Sequence, residues 1–119
     1  MRALYMGLFL LGIVGCSESE PKVVDDAELK LWTAYHENIY TAKCNAKLSK
    51  EWFVICENGS NKAVYWIQPI TENDYVIHAV NGKAKQHSEK FPNLNISDFY
   101  LDGSYPNAES AWEELSKTL

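Results

Sequence analysis

The strongest constraint on how this chain can fold is the stretch from Glu51 to Gln68. In an extended conformation, Glu51–Cys56 places Trp52, Val54 and Cys56 on one face and Phe53 and Ile55 on the other. Glu57-Asn58-Gly59-Ser60-Asn61 then supplies a turn, with a glycine free to take the positive φ that tight hairpins demand. Ala63–Gln68 returns with Val64, Tyr65, Trp66 and Ile67. Two apolar runs joined by Asn-Gly predict a β-hairpin. An isolated hairpin is marginally stable in water, so other elements must cover it.

Those elements are legible on both sides. Pro69 ends the second strand, Tyr75–Val80 predicts a third, and Asn81-Gly82 is a second tight-turn signal. Lys83–His87 is polar and reads as an edge strand whose lysines discourage further pairing. Upstream, Asp25 with Glu28 three residues later reads as a helix start. Leu29, Trp32, Tyr35 or His36, Ile39 and Ala42 recur at helical spacing, which predicts a helix over 26–43 with Asn45 as its left-handed stop. Pro106 and Asn107 open a last helix striped by Ala108, Ala111, Trp112, Leu115 and Leu119. Residues 88–105 fit neither period. The expected fold is α+β: a small antiparallel meander sheet of three or four strands, with an N-terminal and a C-terminal helix packed on one face. One domain, 25–119, accommodates all of it.

The amino-terminal region has a different character. Met1-Arg2 is followed by Ala3–Val14 without a charge, and this run is shorter than the roughly 20 residues needed to span a bilayer. It ends in Ile13-Val14-Gly15-Cys16, which resembles the lipobox of bacterial lipoproteins, with Ile13 where that family prefers Leu. The resemblance implies that 1–15 is a cleaved signal peptide and that Cys16 is lipidated. It also implies, from Ser17 in place of an inner-membrane retention Asp, an outer-membrane anchor facing the periplasm of a Gram-negative bacterium. Residues 16–24 would be a polar tether reaching about 30 Å when extended, and several acyl chains would hold it to the membrane effectively permanently.

With Cys16 acylated, Cys44 and Cys56 remain as an even pair in an oxidising compartment. A structural disulfide is the expectation, stapling a helix end to a strand end. The competing reading is free, catalytic or metal-binding thiols. There is no C-x-x-C, and His36, His78 and His87 match no usual zinc spacing.

Charge limits the partners. From Cys16 onward the chain has ten lysines and sixteen acids, a formal 10 − 16 = −6, which argues against nucleic acid. Catalytic motifs are missing: there is no G-x-S-x-G, no phosphate-binding loop and no H-E-x-x-H. His78 lies mid-strand between Ile77 and Ala79 and reads as a packed histidine. His87 reads as solvated on a polar edge, His36-Glu37 as no acid–base pair, and Asp98 and Asp102 as turn residues. Neither an enzyme, nor a cofactor, nor a metal is expected. The aromatics are the better lead, because a sheet covered on one face leaves the other partly open. Tyr65, Tyr75 and Trp66 are the candidate binding residues. The expected function is a membrane-anchored, non-catalytic module that binds an envelope or periplasmic protein, as an inhibitor, immunity or exclusion factor does. The alternatives are a structural accessory of an envelope, secretion or conjugation complex, and a small-ligand carrier or enzyme centred on His78.

Overall fold

The computed structural model describes residues 19–119. Cys16, the 1–15 segment and Ser17 lie outside the described residues. Helix α1 spans Lys22–Asn38, followed by β1 (Lys43–Ser49), β2 (Glu51–Asn58), β3 (Asn61–Pro69) and β4 (Tyr75–Ala79). Helix α2 (Gly82–Ser88), the short strand β5 (Ile96–Asp98) and helix α3 (Pro106–Ser116) complete the chain. The five strands form one sheet in the order β1-β2-β3-β4-β5. The first four are an antiparallel meander, and β5 pairs parallel to β4 through Ile77 and Ile96.

The central hairpin forms as the sequence predicts. Gly59, at φ +62, occupies the first position of a two-residue loop between Asn58 and its partner Asn61. A positive φ there matches the turn to the twist of its strands, and glycine adopts it without steric cost.

Both faces of the hairpin are covered, which corrects the expectation of helices on one face only. Val54, Cys56, Tyr65, Ile67, Ile77 and Ala79 pack against α1. Phe53, Ile55, Val64, Trp66, Val80 and Phe99 pack on the other face against Ala108, Ala111 and Leu115 of α3. The reason is in the strands: with apolar residues on both sides, β2 and β3 cannot leave either face in water. The architecture is therefore three-layered, with α1 and α2 on one face of the sheet and α3 on the other.

Helix α1 differs from expectation in its ends and in its phase. It begins at Lys22, where the Pro21 carbonyl accepts from Val24 and Asp25 at 3.0 and 3.1 Å, so Val23 and Val24 reach the core. The buried stripe is Val24, Ala27, Leu31, Ala34 and Tyr35. Leu29 and Trp32, expected to face the sheet, point to solvent instead. The helix stops at Asn38, and Lys43–Ser49 is a strand rather than a helix end.

This strand relocates the disulfide. Cys44 and Cys56 are bonded as expected, but they lie opposite one another on neighbouring strands with Cα atoms 4.0 Å apart. The bond joins β1 to β2 within the sheet, rather than a helix to a strand. Residues 83–87 are likewise helical, not an edge strand. The Asn81 Oδ1 accepts from the Ala84 N–H at 3.0 Å and from Val64 N–H at 3.1 Å, while its Nδ2 donates to the Lys62 carbonyl at 2.9 Å. One side chain thus caps α2 and ties it to β3.

Candidate functional site

The three aromatics proposed from sequence do not share a surface. Tyr65 is fully buried under α1 and Trp66 is buried under α3. With both sheet faces covered, Tyr65 has no exposed surface and Trp66 almost none. Tyr75 is half-buried at the edge of α1, where its hydroxyl donates to Asp26 at 2.5 Å and Lys30 lies 3.2 Å from the same carboxylate. That hydrogen bond and the Lys30 charge hold the Asp26 carboxyl below the usual range.

The two buried histidines belong to internal networks. His78, only 3% exposed, places Nε2 2.8 Å from Gln68 Oε1 and Nδ1 against the Ser97 hydroxyl, and its ring stacks on Trp66 with centroids 4.6 Å apart. Both ring nitrogens are engaged. A cleft of about 330 Å³ opens beside this network, lined by Trp66, Gln68 and Tyr105, but His78 itself does not line it. His87, expected on a solvated edge, is buried because its strand is instead α2. Its Nδ1 lies 2.9 Å from the Tyr35 hydroxyl, which in turn lies 2.8 Å from that of Tyr65. Burial lowers the pKa of both histidines, and at His87 the charges of Lys83 and Lys90 push in the same direction. Asp102 accepts from the Ser104 amide, as a turn residue does, whereas Asp98, expected in a turn, closes strand β5 opposite Ala79 and accepts from the Tyr100 hydroxyl.

The outward face of α1 is the surface that sequence reasoning missed. Asp25, Leu29, Trp32 and His36 succeed one another at steps of four, three and four, so they form one ridge along the helix. Leu29 is 62% exposed and Trp32 43% exposed, and the Trp32 ring rests on His36 at 4.0 Å between centroids. Grooves flank the ridge on both sides. One, of about 380 Å³, runs between α1 and the Phe91–Leu94 segment and is lined by Leu29, Lys30, Thr33, Glu37, Phe91 and Leu94. The other, of about 400 Å³, is lined by Asp25, Glu28, Leu29, Trp32 and Cys44 beside β1.

Acids crowd the second groove. Carboxylate oxygens of Glu20, Asp25 and Glu28 lie within 4.8 Å of one another. Partial burial first, then the neighbouring Glu28 and Asp25, push the Glu20 carboxyl up to about 7. Glu28 also accepts from the Ala46 amide at 2.7 Å, which docks α1 on the free edge of β1. Among the described residues this is the group of carboxylates placed to share a cation. It offers one ligand atom from each of three side chains, short of the six to eight oxygens that calcium takes. The signal for this surface was present in the sequence as a second apolar pair on α1, Leu29 and Trp32, beside the stripe at 24, 27, 31 and 34.

No helix among the described residues is long and apolar enough to cross a membrane. Comparison with protein-family models, with curated proteins and with solved structures finds no match to the chain.

Proposed function

We propose that this chain is a lipid-anchored envelope protein, tethered through Cys16 to the outer membrane and facing the periplasm, which acts by binding a protein partner through the outward face of α1. The observation that carries the binding half is the second apolar stripe of that helix. The first stripe is consumed by the core, whereas Leu29 and Trp32 remain in water between two grooves. Tryptophan is enriched at the energetic centres of protein interfaces, where large area is buried at low rotamer cost. The anchor half rests on the Ile13-Val14-Gly15-Cys16 resemblance.

Two measurements test the two halves separately. Growth with labelled palmitate should label the protein and leave Cys16→Ser unlabelled; equal label in both overturns the anchor. A benzophenone-bearing residue at position 29, photoactivated in whole cells, should give a discrete heavier adduct that the same residue at the exposed position 70 does not. Adducts alike at both positions, or at neither, overturn the α1 reading.

A further inference from the structure

The partner's chemistry can be read from what surrounds the ridge, an inference that rests on the α1 reading just given. From Glu20 to Asn38 the chain carries five acids and two lysines, a formal 2 − 5 = −3, with Glu20, whose carboxyl is pushed up to about 7, partly protonated at neutral pH. Lys30 is 3.2 Å from Asp26, and Lys22 donates to Asn73 at 3.0 Å. The ion pairs found among the described residues join Lys30 to Asp26 and Lys50 to Glu114, so none of them neutralises Glu20, Asp25 or Glu28. Asp25 and Glu28 line the β1-side groove with Leu29 and Trp32, and Glu20 lies within 4.8 Å of both acids, making an apolar centre with an acidic margin.

We propose that the Leu29–Trp32 ridge is the docking site for a cationic amphipathic segment of a partner protein, whose apolar side chains cover Leu29 and Trp32 while its lysines or arginines meet Glu20, Asp25 and Glu28. Charge complementarity selects this occupant. A second copy of the chain would set one acidic margin against another, and an anionic lipid surface would be repelled by the same carboxylates. Size agrees as well. Asp25 to His36 spans about 16 Å of helix axis, the length of about three helical turns on the partner. A cation brought into the groove would also relieve the mutual repulsion of the three acids, so its attraction is greatest beside the apolar contact.

The test uses the full chain and two synthetic 18-residue helices, one with leucines on one face and lysines on the other, the second with glutamates replacing the lysines. Titration calorimetry at low salt should show the lysine peptide binding at least tenfold tighter than the glutamate peptide. Trp32→Ala should weaken the lysine peptide at least tenfold, and Glu20→Gln with Asp25→Asn should reduce its advantage, while Ile70→Ala changes nothing. If Trp32→Ala leaves lysine-peptide affinity unchanged, the attraction is diffuse and the inference falls. If the glutamate peptide binds equally or better but is lost in Trp32→Ala, the ridge binds protein as proposed and only the partner's charge is wrong. A concentration-dependent dimer abolished by Trp32→Ala would assign the ridge to a second copy and overturn the cationic partner.

Discussion

Removing the hydroxyl of Tyr35 should cost more than removing it together with that of Tyr65. The two hydroxyls and His87 form a buried line: Tyr65 to Tyr35 at 2.8 Å, Tyr35 to His87 Nδ1 at 2.9 Å. Burial pushes both phenols above their ordinary range, so each keeps its proton at neutral pH. With neutral His87 accepting at Nδ1, Tyr35 donates its one proton there, and Tyr65 must donate to Tyr35. Tyr35→Phe preserves the ring but leaves the Tyr65 hydroxyl and His87 Nδ1 both without a partner, at about 2 kcal/mol each, so about 4 kcal/mol in all. Tyr65→Phe removes one bond and leaves Tyr35 with His87, costing about 1 kcal/mol. In the double variant only His87 is left unpaired, and the cost returns to about 2 kcal/mol. The double variant should therefore be more stable than Tyr35→Phe alone, a coupling of about 3 kcal/mol against additivity. Urea unfolding at pH 7 reads this as midpoint shifts at unchanged slope. A double variant as costly as the two singles summed would refute the line of donors.

The pH dependence has a definite sign. His78 and His87 have pKa values lowered from the ordinary 6.5 by burial, so the unfolded chain binds protons that the folded chain refuses. Their contribution is complete above pH 6.5 and is lost as pH falls below it. Glu20, raised to about 7 from 4.5, runs the other way, losing its contribution as pH rises across that interval. Subtracting the stability profile of His87→Gln from that of the unsubstituted chain cancels Glu20 and should leave a difference that rises with pH up to 6.5; a flat difference would overturn the assignment. For the disulfide, Cys44→Ser with Cys56→Ser should lower stability by about 3 kcal/mol, the loop-closure value for about 13 residues. Mass analysis of the unreduced digest should recover the two peptides joined, and alkylation of both thiols without reductant would contradict the bond.

What could be read in the sequence follows from where each signal is local. The β2–β3 hairpin carries its own turn chemistry at Asn58-Gly59, and α3 carries a Pro start with a single stripe, so both were legible. The β1–β2 connection carries no glycine or proline. Lys50 takes φ +64 there, a conformation that its side chain does not announce, so the sequence predicts no strand between the helix expected over 26–43 and Glu51. Asn81-Gly82 misled for a different reason. Asparagine suits both a hairpin turn and a helix N-cap, and the choice was made by Val64 and Lys62, whose backbone groups hold the Asn81 side chain from a strand 17 and 19 residues earlier. No window around residue 81 contains that information.

The phase of α1 was the costliest ambiguity, and it bears most on function. Between Lys22 and Asn38 two apolar stripes compete, and the stripe at 29 and 32 contains the larger side chains, so periodicity alone favours burying it. The sheet decides otherwise, because Tyr65 needs a hydroxyl partner and Tyr35 supplies one only if the 24-27-31-35 side faces inward. Val23 and Val24, ahead of the expected start, add buried area to that side alone. Leu29 and Trp32 are therefore not required to seal this core. Their apolar surface faces water at a hydration cost of up to about 25 cal/mol for each Å² that a partner would cover. If that cost is balanced only by contact, Trp32→Ala should leave unfolding nearly unchanged while impairing capture at the α1 face. Loss of stability and capture in parallel would mean that the ridge serves the fold instead.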